Sequence, residues 1–286
     1  MTRFINPFTD MGFKRIFGQE ISKDLLIDFL NDLLEGERTI VELQFMDKEQ
    51  VPDSVERRGI IYDVYCTTDT GEKIIVEKQN KRQESFKERA LYYLSNAIVR
   101  QGEKGTKWKY EIKAVYGVFL MNFKLETVCE QVRRDIILIN RQTGELFIDK
   151  MRFIFLELPS FGKEEEACEN NFERWIYVLK NMEVLKRMPF KAQKSVFTKL
   201  EEIADLTQLS REDRMKYDKA LKVYRDNYAV MECARKEGRD EGITEGMEKG
   251  MKTKATSIAR NLKSMGLTIE QISQATGLSN EDIEKL

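Results

Sequence analysis

The stretch 112–121 is apolar almost throughout, and no other part of the sequence limits the possible folds as strongly. It is too short for the roughly 20 apolar residues that a bilayer-spanning helix needs. Its length suits a β-strand that is buried on both faces, and such strands belong to sheets that helices cover on both sides. We therefore expect an α/β fold with a mixed sheet flanked by helices, in which this strand lies near the centre.

Apolar periodicity predicts the other helices and strands. Apolar residues recur every four positions from Ile21 to Leu33, so 10–35 is expected to be largely helical, with Ser22 and Gly36 as cap residues. Alternating or continuous apolar runs predict strands at 39–45, 60–67, 73–79, 136–139, 145–148 and 151–158, and helical spacing predicts a helix at 86–100.

The chain changes character after Pro159. Residues 165–236 contain few turn-forming residues and carry apolar residues at helical spacing, so several helices are expected there. This gives a helical C-terminal extension to the α/β core. We divide the chain into a core domain at 1–160, a helical extension of that domain at 161–236, a glycine-repeat linker helix at 237–252 and a small helical end segment at 253–286.

Glycine recurs every four residues in the linker, at Gly238, Gly242, Gly246 and Gly250. Each glycine costs a helix about 1 kcal/mol relative to alanine, which favours a linker helix that frays. The alternative is a helix whose glycine face allows a partner helix to approach closely.

The end segment resembles a helix-turn-helix in its spacing. Thr268 is expected to begin one short helix and Ser279 to cap the next. The second helix would carry three acids, and an acidic helix suits phosphate poorly. We therefore favour a packing or oligomerisation element here over one that reads DNA.

The 286 residues include no histidine. This excludes Ser–His–Asp triads, Cys–His pairs and histidine metal sites. The four cysteines are dispersed, so neither a zinc site nor a disulfide framework is expected, and they are interpreted as small core residues. Without a signal-like or membrane-spanning apolar run, the sequence predicts a soluble cytoplasmic protein with no membrane contact. Any acid–base or metal chemistry must therefore use carboxylates, Lys, Tyr or Cys.

Asp63 and Glu77 interrupt two apolar strands that a polar turn separates. Both lie seven residues from Thr70, the middle of the turn. A simple antiparallel hairpin would place them opposite each other, with Cβ atoms roughly 4.5–5.5 Å apart. Gln79 would share the face of Glu77, because it lies two residues further along the strand. Two facing carboxylates destabilise a hairpin unless a cation neutralises them, and their hard oxygen atoms suit Mg²⁺ or Mn²⁺.

The alternative is an edge hairpin with a solvated acidic face, because alternation normally turns polar residues outward. The residues that share the acidic side are largely apolar, however: Ile61, Tyr65 and Ile75. We therefore favour a half-buried cleft.

Asp63 followed by Glu77-Lys78-Gln79 on the next strand, and then by a helix, resembles the core of PD-(D/E)XK nucleases, with Tyr62 in place of Pro and Gln79 in place of Lys. More specifically, the chain resembles the bacterial family of recombination-promoting nucleases and transposases over roughly residues 1–230. The similar stretches are TDMGFKRIFG at 9–18, YDVYC at 62–66, GEKIIVEKQ at 71–79, RALYY at 89–93 and FLELP at 155–159.

The resemblance implies a metal-dependent DNA endonuclease that hydrolyses phosphodiester bonds in recombination or mobile-element function. Asp63 and Glu77 would then hold Mg²⁺ or Mn²⁺, with Gln79 as the third catalytic residue. Gln79 can orient a water molecule or a phosphate oxygen but cannot act as a base. Asp10 is either a supporting acid or a helix N-cap. The alternative function is a catalytically inactive module on the same fold that binds nucleic acid or a protein partner.

Local charge after Gln79 is consistent with DNA as the partner. Residues 80–113 hold nine Lys or Arg and four Glu, although an excess of this size also occurs on ordinary solvated helices. The candidate DNA-binding residues are Lys81, Arg82, Lys87, Arg89, Lys107 and Lys109, of which the last two alternate with Trp108 and Tyr110. A homodimer is plausible, because two active sites are the simplest way to cut both strands.

Overall fold

The stretch expected at the centre of the sheet forms a strand that is buried along its whole length. The structure is a computed structural model that describes residues 2–50, 59–103, 108–125 and 131–286. In chain order its elements are α1 (Asp10–Phe17), α2 (Lys23–Leu33), β1 (Leu43–Phe45), β2 (Glu49–Gln50), β3 (Ile60–Ile61), β4 (Val64–Thr68), β5 (Lys73–Gln79), α3 (Phe86–Val99), β6 (Val115–Met121), β7 (Arg133–Ile139), β8 (Leu146–Glu157), α4 (Asn171–Asn181), α5 (Val196–Ala204), α6 (Arg211–Ser264), α7 (Ile269–Thr276) and α8 (Asn280–Glu284).

Six strands form one mixed sheet in the order β1-β4-β5-β6-β8-β7. β5, β6 and β8 run parallel to one another, and the other neighbours are antiparallel. α3 connects the parallel strands β5 and β6. The predicted α/β class, with a mixed sheet between helices and a helical C-terminal extension, is confirmed.

The two faces of the sheet are covered by different helices. On one face, Val76 and Val118 belong to a core that also contains buried residues of α1, α2, α4 and α5, among them Trp175. On the other face, Ile75 and Phe119 pack in a smaller core with Phe86, Ala90 and Leu94 of α3. Neighbouring residues of β5 thus enter different cores, because successive side chains of a strand point to opposite faces.

Several predicted boundaries differ from the observed ones. The helix expected over 10–35 is two helices, because α1 ends at Gly18, and Ser22 makes no side-chain cap to α2. The strand expected at 60–67 is interrupted at Tyr62 and Asp63, and only Leu43–Phe45 of the expected 39–45 is a strand. The strands expected at 145–148 and 151–158 are one continuous strand, β8.

The cysteines follow the prediction only in part. Cys66 and Cys168 are buried, as expected, but Cys233 is exposed on α6. Cys129 lies outside the described residues.

The chain forms two compact units, 1–224 and 225–286. The glycine repeat lies within α6, and an added Cβ at any of its four glycines would meet nothing within 4 Å in the described chain. In the second unit Ala259, Ile272 and Ile283 form a small core. Thr268 and Ser279 cap α7 and α8 as predicted. The division into four segments stays a prediction.

In the part of the chain that the structure describes, no helix is both long enough and apolar enough to cross a membrane.

Candidate active site

The β4–β5 hairpin brings Asp63 and Glu77 together. Val64 pairs with Val76 and Tyr65 with Ile75, so the same register continued by one residue sets Asp63 opposite Glu77. The turn between the strands contains Gly71 at a φ of 91°, a conformation that glycine adopts without strain. The register that equal spacing around Thr70 predicts is therefore the register of the hairpin.

Asp63 lies at a bend immediately before β4, and two backbone contacts hold it against β5. Its N–H donates to Glu77 Oε1 at 2.9 Å, and its Oδ2 accepts from the N–H of Lys78 at 3.0 Å. The preceding Tyr62 is buried, and its hydroxyl donates to the carbonyl oxygen of Tyr93 on α3 at 3.1 Å. The bend is thus fixed on both sides, so the Asp63 carboxylate has a defined position.

Glu77 and Gln79 lie on the face of β5 that α3 covers, and both are largely buried, at 5% and 9% exposed. Burial raises the pKa of Glu77 well above its ordinary range, and the nearby charge of Asp63 raises it further. β4 and β5 are interior strands of the sheet, flanked by β1 and β6. The alternative of an edge hairpin with a solvated acidic face is therefore wrong.

Lys78 points to the opposite face and joins two acids. Its ammonium group hydrogen-bonds Asp10 Oδ1, and its Nζ lies 3.9 Å from Asp63 Oδ2. The hydrogen bond from Lys78 lowers the pKa of Asp10. The N-cap of α1 is Thr9, whose hydroxyl accepts from the N–H of Gly12, so the N-cap interpretation of Asp10 is wrong. Asp10 is instead linked to Asp63 through Lys78.

These side chains fit a hard divalent cation. Asp63 and Glu77 lie opposite each other at the end of one hairpin, Gln79 lies on the same face of β5 as Glu77, and a cation would relieve the mutual repulsion of the two carboxylates. Mg²⁺ typically takes only one or two carboxylates and keeps several water molecules. Within the described ranges, no group of three or more Asp, Glu or Cys side chains is arranged to hold a metal ion. A cation here would therefore rest on Asp63 and Glu77.

A small cavity of about 240 Å³ opens beside Asp63. Its polar lining includes Asp47 and Lys48, which sequence reasoning missed along with the contacts of Lys78. Asp47 and Lys48 lie between β1 and β2 with no motif around them. Alternation within a strand places Lys78 on the opposite face from Glu77, and only the bend at Asp63 brings the Asp63 carboxylate within its reach.

The candidate DNA-binding residues lie at two different ends of the sheet. Lys81 and Arg82 directly follow β5, and Lys87 and Arg89 lie at the start of α3, where the positive charge of Arg89 acts on Glu77. Lys109 precedes β6, whose first residue Val115 pairs with Lys73 at the beginning of β5, away from Glu77. Trp108 and Tyr110 are in ring contact there, with centroids 4.7 Å apart. Lys107 lies outside the described residues.

Comparison with known proteins identifies the family of the chain. A family model described as PD-(D/E)XK nuclease family transposase matches residues 7–234. Searches of curated proteins and of solved structures found no significant match. The matched range contains the hairpin with Asp63, Glu77 and Gln79, as well as Asp10 and Lys78. The chain thus belongs to the transposases of the PD-(D/E)XK nuclease family.

Proposed function

We propose that this protein is a divalent-metal-dependent DNA endonuclease that hydrolyses phosphodiester bonds in the cytoplasm, in recombination or in mobile-element function. The observation that carries the proposal is the contact between Asp63 and Glu77. Two acids meet at the end of a buried hairpin, each carboxylate held by a backbone N–H of the other strand. Two facing carboxylates repel each other, and a shared cation would relieve that repulsion.

In this proposal Asp63 and Glu77 are the ligands of Mg²⁺ or Mn²⁺. When bound, the cation supplies an activated water and stabilises charge on the scissile phosphate. The chain's own residues keep the site in place: the N–H of Lys78 and the buried Tyr62 fix the Asp63 carboxylate, and the N–H of Asp63 holds the carboxylate of Glu77. Gln79, on the same face as Glu77, orients a water molecule or a phosphate oxygen through its amide.

The basic residues nearest the site would contact the DNA backbone. Lys81 and Arg82 leave β5 directly after Gln79, and Lys87 and Arg89 lie in the first turns of α3. Their positions at one end of β5 suit a duplex or a single strand whose phosphate lies over Glu77. Lys109, which precedes β6, is assigned to a more distant part of the same DNA, and Lys107 stays a candidate contact from the sequence alone.

Nicking of supercoiled plasmid by the purified full chain tests the proposal. We expect nicking with Mg²⁺ or Mn²⁺, none with EDTA, and a loss of at least about a hundredfold in Asp63→Asn and in Glu77→Gln. Asp69→Asn is the matched control, because Asp69 is an exposed acid in the turn of the same hairpin. Metal-independent nicking, or equal nicking by all four proteins, would refute the proposal.

A catalytically inactive binding module is the second candidate, and one observation favours it. Gln79 takes the place of the lysine typical of this core, while the nearby Lys78 contacts Asp10 and Asp63. This candidate predicts salt-sensitive DNA binding that chelation leaves unchanged, with no nicking in either metal. Salt-sensitive binding with no nicking would therefore replace the first proposal with the second.

A further inference from the structure

β7 and the adjoining half of β8 form an exposed apolar hairpin, residues 136–148, which we name the β7–β8 arm. β7 is the last strand of the sheet, so one of its edges has no neighbouring strand in the described chain. Seven large apolar side chains of the arm are between 38% and 77% exposed: Ile136, Ile137, Leu138, Ile139, Leu146, Phe147 and Ile148.

The arm leaves the sheet as a two-stranded ribbon. Among the described strands β6 pairs with β8 only from Met151 onward, so Leu146 and Ile148 pair with β7 alone. The register between β7 and β8 shifts twice at this point. A two-stranded hairpin in water is marginally stable at best, and a third strand or a packed layer is needed to hold it.

Both faces of this ribbon are apolar. Ile136, Ile137, Leu138 and Ile139 are consecutive, and each of them is between 42% and 53% exposed, so neither face carries a polar side chain here. Ordinary edge strands carry Lys, Pro or inward charges that prevent pairing with another chain. These four residues carry none of these side-chain features, so no charge or proline on the arm opposes pairing with another chain.

We infer that the β7–β8 arm is the dimer interface of this protein, with the arm of a second copy as its occupant. An edge strand can pair antiparallel with its own copy across a twofold axis, so that one surface satisfies both partners. This inference goes beyond the proposed nuclease activity and holds whether or not the protein cleaves DNA.

Charge and apolar character both favour a second copy as the occupant. Between Ile136 and Ile148 the only charged residues are Arg141 and Glu145 in the turn, so the arm is neutral and two copies do not repel each other. The arm offers seven large exposed apolar side chains and one free strand edge, and homodimer interfaces are more apolar than the rest of a protein surface. An acidic or basic partner would have no complementary charge on the arm.

The test is the oligomeric state of the full chain, measured by sedimentation velocity over a wide range of micromolar concentrations. We expect a dimer whose dissociation constant rises at least about tenfold in Phe147→Glu. Val184→Glu is the matched control, because Val184 is 76% exposed, close to the 77% of Phe147, and lies outside the arm. Thermal unfolding of both variants verifies that they fold. A monomer at every concentration, or a dimer that both variants leave equally intact, overturns the inference.

Cross-linking separates the arm from other interfaces, because α6 could also associate. In a Cys233→Ser background, a short bismaleimide should link two copies through Leu138→Cys far faster than through Val184→Cys. Equal rates at the two positions in a proven dimer would place the interface elsewhere and overturn the inference. The Leu138→Cys result also decides the matter if Phe147→Glu fails to fold.

Discussion

Glu77 is an acid that the fold keeps almost completely away from water. It lies in β5 among the buried residues Ile74, Ile75 and Val76. Burial favours the protonated form of a carboxyl group, and the charge of Asp63 across the hairpin favours it further. A divalent cation would reverse this preference, because it binds the ionised form.

The first prediction concerns pH. Burial and the charge of Asp63 raise the pKa of Glu77 to about 8. The contribution of Glu77 to the stability of the metal-free protein is therefore fully present below its ordinary pKa and is lost as pH rises toward the raised one. Thermal unfolding in EDTA should show Glu77→Gln becoming more stable relative to the unsubstituted protein as pH rises from 5 to about 9. A difference that stays constant with pH would contradict this explanation.

The second prediction concerns Lys78 and Asp10. The ammonium group of Lys78 lies 3.9 Å from Asp63 Oδ2 and opposes a second cation there. Lys78→Met should therefore tighten Mn²⁺ binding by about tenfold, and Asp10→Asn should weaken it, because Lys78 is then free to pair with Asp63. Calorimetric titration measures both. If both substitutions changed the Mn²⁺ affinity in the same direction, Lys78 would act through the local structure and not through its charge.

Sequence reasoning reached part of this site. Counting from Thr70 places Asp63 opposite Glu77, because a hairpin without a bulge fixes its register from the turn outward. The contact between Lys78 and Asp63 was not predictable, because alternation within a regular strand places Lys78 on the opposite face from Glu77. That contact depends on the bend at Asp63, which is set by the burial of Tyr62 against α3.

At the scale of elements, the local apolar pattern did not predict that β8 is one continuous strand. Asp149 and Lys150 separate two apolar runs and suggested two strands, yet β8 continues through them. They lie where β8, paired with β7 alone up to this point, begins to pair with β6 as well. Their side chains remain accessible to solvent there. The central strand β6 was predictable because burial on both faces leaves a continuous apolar run.

The third prediction compares the effects of replacing two glycines, one in the sheet and one in α6, by alanine. A Cβ at Gly117 in β6 would meet Leu94 Cδ1 at 2.5 Å, so Gly117 is what allows α3 to approach the sheet. Gly117→Ala should lower the free energy of unfolding by about 1–3 kcal/mol. Gly246 in α6 has open space around it in the described chain, and Gly246→Ala should stabilise the helix by about 1 kcal/mol.

Urea denaturation measures the effect of Gly117→Ala, and the thermal loss of helical circular dichroism measures that of Gly246→Ala. Destabilisation by Gly246→Ala would indicate that the glycine face packs against another helix, the alternative that the repeat leaves open. If Gly117→Ala left the free energy of unfolding unchanged, α3 and the sheet would have to adjust to one another to make room for the added methyl group.

At the scale of the whole molecule, the candidate chemistry belongs to the first unit. Asp10, Asp63, Glu77 and Gln79 all lie within 1–224, and the family match ends at 234. Neither core of the first unit includes a residue after Tyr224. The extent of α6 was not predictable, because its glycine repeat disfavours a helix locally, and the sequence therefore suggested a boundary where the helix continues.

The fourth prediction follows from this division. A chain that ends at residue 236 should keep its cation affinity and its plasmid-nicking rate within about twofold, because all the site residues and their packing partners remain. Mn²⁺ titration and the nicking assay measure both. Loss of metal binding by a folded shortened chain would show that residues after 236 contribute to the site and would contradict this prediction.

Calorimetric titration of Mn²⁺ into the metal-free full chain at pH 8 tests the central claim most directly. We predict one site per chain that is lost in Asp63→Asn and in Glu77→Gln and retained in Asp69→Asn. Loss in both site variants would show that the two acids hold a single ion between them. Binding of equal strength in the site variants and the control, or no binding to the unsubstituted protein, would contradict the account.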